Sequence, residues 1–75
     1  MSSEIDKILD GCINKVVLIK LKNNTTIQGN LQAFDQHMNL ILTEVQDITE
    51  DNVKNLNKII LRGDNILIVS PLEKQ

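Results

Sequence analysis

Ile27-Gln28-Gly29-Asn30-Leu31-Gln32-Ala33-Phe34-Asp35-Gln36-His37-Met38-Asn39 changes character partway along, and that change decides how the chain reads. From Ile27 to Phe34 the pattern alternates. Ile27, Gly29, Leu31 and Ala33 point one way, and Gln28, Asn30 and Gln32 point the other. A period of two marks a strand with one dry and one wet face. Gly29 stands on the dry face, where a packed side chain is the norm. Glycine there lets the sheet bend sharply or lets another backbone approach. After Phe34, an acid, an imidazole and a carboxamide fall within five residues, just before the next apolar run. A bent strand running into such a polar loop points to a small barrel with a binding loop at its rim.

Working outward toward the N-terminus, Ser2 and Ser3 are candidate caps for a short helix over about Glu4 to Asp10. Glu4 and Asp6 suit the positive end of its dipole, and Gly11 is a plausible stop. Ile5, Ile8 and Leu9 form one apolar stripe at helical spacing. A helix this short does not survive alone in water, so it must lie on the open end or face of the barrel. The first strand spans Lys15 to Lys22, with Val17, Ile19 and Leu21 on one face. Asn23-Asn24 closes the hairpin, since Asn tolerates a left-handed backbone. The second strand runs over about Thr25 to Phe34 and the third over Asn39 to Ile48. Thr49 to Asn55 reads as a polar loop.

The fourth and fifth strands, roughly Leu56–Leu61 and Asn65–Ser70, are apolar on both faces. Two-sided apolar strands need cover on both sides, which 75 residues with one short helix do not easily supply. If they are also sheet edges, they are open to pairing with another chain. Pairing the fourth strand of one copy with the fifth of the next is a heterologous contact, and repetition yields a ring or a filament. Pro71 ends the fifth strand, and Leu72 to Gln75 is a short tail.

The composition bounds the remaining choices. A chain of 75 residues is one small domain, 1–75. It buries only about 60–65% of its unfolded surface. There is one Phe and no Trp or Tyr, so the core is aliphatic. One Cys and one His allow neither an internal disulfide nor a metal cluster. No signal-like segment or bilayer-length apolar run is present, which leads us to expect a cytoplasmic protein with no membrane partner. A formal net charge of −2 argues against coating nucleic acid through a broad basic surface. It leaves room for a small local site that relies on stacking and base-edge contacts.

Gly29-x-Leu31-x-x-Phe34-Asp35-x-x-Met38-Asn39 resembles the first signature of the Sm and Sm-like (Lsm) RNA-binding proteins. Ile60-Leu61-Arg62-Gly63-Asp64-Asn65-Ile66 resembles the second. With their flanking strands the two regions cover about 16–48 and 56–71. The compact length and His37 in the first loop look most like archaeal Sm-like proteins; the bacterial protein Hfq is a weaker match, because its second signature differs. The resemblance implies the Sm fold: mainly β, with a short N-terminal helix before a five-stranded, strongly bent antiparallel sheet forming a small, open, SH3-like barrel. It also implies a ring, typically of six or seven subunits with seven expected. That ring would bind single-stranded, uridine-rich RNA at its pore, without catalysis or cofactor, in RNA processing, turnover or chaperoning. The alternatives are a ring-assembly module that binds no RNA, and a subunit of a hetero-oligomeric ring with other Sm-like chains.

Each candidate binding residue has a bland and a specific reading. His37 is either a solvated loop residue or a flat stacking surface for a base. Asn39 either caps the turn or matches the O4 acceptor and N3–H donor of uracil with its amide. Asp35 makes an Asx-turn, orients Asn39, or does both. Arg62 is a solvated cation or a planar group that stacks on a base and pairs with phosphate. The resemblance favours the specific readings, with a base held between His37 and Arg62 and read by Asn39. It adds Gly63, which lets a backbone approach in a tight turn with Asp64, and Asp64, which fixes Arg62 or contacts the nucleotide. Phe34 and Met38 are expected to pack, and Cys12 to be a small core residue. No nucleophile–base pair for a hydrolase is recognisable. Arg62-Gly63-Asp64 as an adhesion tripeptide, Asn23-x-Thr25 and Asn24-x-Thr26 as glycosylation acceptors, and Asp47, Glu50 and Asp51 as a cation loop are set aside.

Overall fold

The computed structural model describes residues 4–72. The expected Ser2 and Ser3 caps and the end of the C-terminal tail lie outside the described residues. Helix α1 spans Glu4–Asp10, followed by strands β1 (Val16–Leu21), β2 (Thr26–Phe34), β3 (Leu40–Asp47), β4 (Lys54–Leu61) and β5 (Ile66–Pro71). All pairings are antiparallel, in the order β4-β3-β2-β1-β5. The two apolar strands are therefore the two edges of the sheet.

The sheet bends where its ladders slip. The β2–β3 register shifts between Gln28 and Asn30, at Gly29, and again between Leu31 and Ala33. A Cβ on Gly29 would lie 2.9 Å from Val45 Cγ2 and 3.1 Å from Thr43 O. The absent side chain is what allows β3 to fold over β2. Gly29→Ala is expected to lower stability by about 1–3 kcal/mol through overpacking. Chemical denaturation at fixed protein concentration reads this as an earlier midpoint; an unchanged midpoint would mean that β3 moves aside freely.

The core is aliphatic, as expected. Val17, Ile19, Ile27, Leu31, Leu40, Leu42 and Val45 are essentially fully buried, and Leu9, Cys12 and Leu61 complete the cluster. The hairpin between β1 and β2 closes with Asn24 at φ 65, while Thr25 N donates to Asn23 Oδ1.

Several details depart from expectation. Of the α1 stripe only Leu9 is buried; Ile5 and Ile8 are more than half exposed. The helix touches the barrel with one corner, because its seven residues form only two turns. Gly11 follows the helix but is not left-handed; Asn14, at φ 68, takes the turn into β1. Strand β4 begins at Lys54 rather than Leu56, because Lys54 and Asn55 continue the pairing with Asp47 and Gln46. Their polar side chains face solvent at an edge, so hydropathy hides the strand. Pro71 is the last residue of β5, paired with Val17. Ile60, Leu67 and Ile68 stay exposed at 74%, 58% and 56%, so the subunit leaves the apolar faces of its edge strands uncovered.

Candidate nucleic-acid interface

Two loops build the site. The first joins β2 to β3 and holds residues 35–39. Met38 N donates to Asp35 O, Asp35 N donates to Asn39 O, and Met38 is left-handed at φ 64. The Asp35 carboxylate organises the turn from inside. Its Oδ1 accepts from His37 N at 2.9 Å and Asn39 N at 3.0 Å, and its Oδ2 accepts from Asn39 Nδ2 at 3.0 Å. Asp35 therefore makes the Asx-type turn and orients Asn39 at once.

The second loop is a single 3-10 turn, Gly63–Asn65, between β4 and β5. It docks on the first through one bond: Gly63 N donates to Asn39 Oδ1 at 2.8 Å. A Cβ on Gly63 would collide with His37 O and lie 2.8 Å from Met38 O, so the two backbones touch only because residue 63 has no side chain. Gly63 is thus the joint between the loops and does not line the cleft in front of them.

That cleft, of about 690 Å³, brings Asp35, His37, Asn39, Arg62 and Asp64 together with Phe34 and an apolar wall that includes Ile41 and Ile60. Arg62 Nη2 lies 3.4 Å from Asp64 Oδ2, with both side chains largely exposed. Such a surface pair adds little stability but biases where the guanidinium points. Phe34, expected only to pack, lines the cleft while half-buried. Met38 does pack against the core. Ile41 and Ile60 were not singled out from sequence. The available signal was that both lie outward in the fold's apolar runs and pair directly across β3 and β4.

Asn39 is the most constrained member. Its Oδ1 faces an N–H donor and its Nδ2 a carboxylate, so the amide has one orientation. One N–H and one oxygen lone pair remain for a ligand.

Hydrogen bonding from the Asn39 side chain, then from its backbone, holds the Asp35 carboxyl below the ordinary 3.8; the His37 N–H and charge add to this, against a small opposing effect of desolvation. These bonds favour the ionised form, so their contribution is complete above the ordinary value and is lost as pH falls through the lowered one. A carbon-detected NMR titration should place the Asp35 midpoint below 3.8, with the His37 and Asn39 amides moving in step. A midpoint at or above the ordinary value would mean the turn is held by something else.

The distal loop is tied separately. Asp47 Oδ1 accepts from Thr49 N and Thr49 Oγ1, and Thr49 Oγ1 accepts from Thr26 N. Among the described residues, no group of three His, Cys, Asp or Glu is arranged to hold a metal ion, and no helix is long and apolar enough to cross a membrane.

An open five-stranded barrel with two locked rim loops and unpartnered edge strands defines a small β-barrel binding module. The LSM domain family model matches residues 7–71, and the chain belongs to that family. An Sm-like protein of Aeropyrum pernix is 36% identical over 59 residues, 79% of this chain and 77% of that protein. The SmAP1 heptamer of P. aerophilum has a subunit 35% identical, covering 99% of this chain and 100% of that one, with a TM-score of 0.91. The Sm protein of Pyrococcus abyssi, solved in complex with a uridine heptamer, is 34% identical, covering 93% and 99%, with a TM-score of 0.82.

Proposed function

We propose that this chain forms a homo-oligomeric ring, of seven subunits, that binds single-stranded, uridine-rich RNA at its pore. It acts by binding rather than catalysis, as part of a ribonucleoprotein in cytoplasmic RNA processing, turnover or chaperoning. The observation that carries this reading is the Asn39 amide, pinned by Asp35 and Gly63 at the edge of a cleft flanked by His37 and Arg62. Its remaining donor and acceptor match O4 and N3–H of uracil. His37 and Arg62 supply flat surfaces for stacking, and Asp64 sets the position of Arg62. The bare edges of β4 and β5 support pairing between neighbouring copies, and the heptameric relatives support a subunit number of seven. Each pocket is weak; a ring sums them through effective concentration.

Fluorescence anisotropy with oligouridine, oligocytidine and native mass spectrometry of the same sample test this directly. Binding of oligouridine by a heptamer, with oligocytidine at least about tenfold weaker, is the expected result. Equal failure of both RNAs on an intact ring would favour an assembly module without RNA. Masses that require a second Sm-like chain for closure would favour a hetero-oligomeric ring.

A further inference from the structure

The outer face of the sheet carries a second groove, remote from the rim loops. It has a volume of about 420 Å³, and its polar lining is Gln28, Asn30, Glu44, Gln46, Asn55 and Asn57. Three of these form a directed chain: Gln28 Nε2 donates to Gln46 Oε1 at 2.9 Å, and Gln46 Nε2 donates to Asn55 Oδ1 at 3.2 Å. Gln28 and Gln46 thereby hold fixed orientations. Asn30 and Asn57 make no side-chain hydrogen bond among the described residues and retain their full donor and acceptor capacity.

The backbone beneath the groove is unusual. Glu44 and Asn57 are left-handed, at φ 51 and 65, on facing strands. The β3–β4 ladder slips on both sides of Val45, which pairs with Asn57. A left-handed glutamate is disfavoured. The double slip re-aims the groove side chains relative to a regular ladder.

The lining chemistry narrows the ligand. Glu44 is the only ionisable group in the groove, and no Lys or Arg lines it, so it does not suit phosphate. Carboxamides pair with the edges of nucleobases, and a carboxylate accepts from an exocyclic amine. Adenine and cytosine carry that amine; uracil presents a carbonyl oxygen in its place. The groove is also continuous with the rim cleft. Along the same face of β2 and β3, Gln32 Nε2 donates to Thr43 Oγ1 at 3.2 Å, midway between Ile41 at the cleft and Gln46 at the groove.

We infer that the groove is a second RNA subsite, which takes amino-bearing bases, adenine or cytosine, of a strand whose uridines occupy the rim. The inference rests on the proposed RNA binding at the rim. It extends that reading by dividing base preference between two surfaces of one subunit.

The test compares uridine heptamers extended by three adenosines, three cytidines or three uridines, using anisotropy and the full chain. Adenosine and cytidine extensions are expected to tighten binding about tenfold more than uridine extension. Asn57→Gly and Glu44→Asn keep the left-handed backbone allowed while removing the amide or the charge. Both should erase that gain and leave affinity for the plain uridine heptamer unchanged. Equal gains for all three extensions, or gains that survive both substitutions, would overturn the inference. If the wild-type chain fails to bind the uridine heptamer, the rim reading is what fails. The groove is then judged on oligoadenosine alone: binding weakened by Glu44→Asn supports it, and absence of binding ends it.

Discussion

Asn39→Ala is expected to reduce affinity for oligouridine by about a thousandfold while leaving the ring intact. One substitution removes both hydrogen bonds to the base edge. It also strands two groups that Asn39 satisfies, the Asp35 carboxylate and the Gly63 N–H. Losing about 1.4 kcal/mol per pocket is a factor of about ten, well inside the usual cost of unmaking such bonds. If three uridines engage neighbouring pockets at once, the factors multiply, because the ring converts each later contact into an intramolecular one. Anisotropy with oligouridine reads the affinity, and native mass spectrometry checks the assembly. A variant that binds within about threefold of wild type would remove Asn39 from the recognition of the base.

Gly63→Ala should produce the largest loss of stability of any single methyl addition at the rim. The new Cβ meets the His37 carbonyl oxygen and lies 2.8 Å from that of Met38. Both are backbone atoms, so no rotamer change relieves the clash. The loops must part, and the Gly63 N to Asn39 Oδ1 bond breaks with them. Overpacking costs about 1–3 kcal/mol and the unmade bond about 1–3 more. A total near 3 kcal/mol corresponds to a fall in Tm of about 12–24 °C for a domain of this size. Thermal melts at fixed protein concentration measure it. The double variant with Asn39→Ala should cost clearly less than the two singles together, because both act through one contact. Full additivity would show that the loops are joined by something other than that bond.

Most of the fold was legible because it follows from local rules. The alternation of Ile27, Gly29 and Leu31 located β2, and Gly29 on the dry side marked the bend. Apolar residues on both faces of the last two strands singled them out as needing outside cover, and they are the edges. What hydropathy hid was polar or partial. Lys54 and Asn55 extend β4 with side chains that no core pattern reports, and Ile5 and Ile8 follow helical spacing without finding a surface to cover them.

The site divides in the same way. Asp35, His37 and Asn39 lie within five residues, and a carboxylate beside a carboxamide at that spacing already implies a turn stabilised by its own side chains. Periodicity and turn chemistry are properties of neighbouring residues, so the sequence alone determined the strands, the bend and the rim loop. The bond between Asn39 and Gly63 spans 24 residues. The cleft wall adds Ile41 and Ile60, and the outer groove gathers side chains from β2, β3 and β4. These placements depend on how far the sheet curls and where its ladders slip, which is set by the packing of the whole core. Only the tertiary structure decided them, because no local preference encodes the distance between residues that meet when the sheet folds over itself.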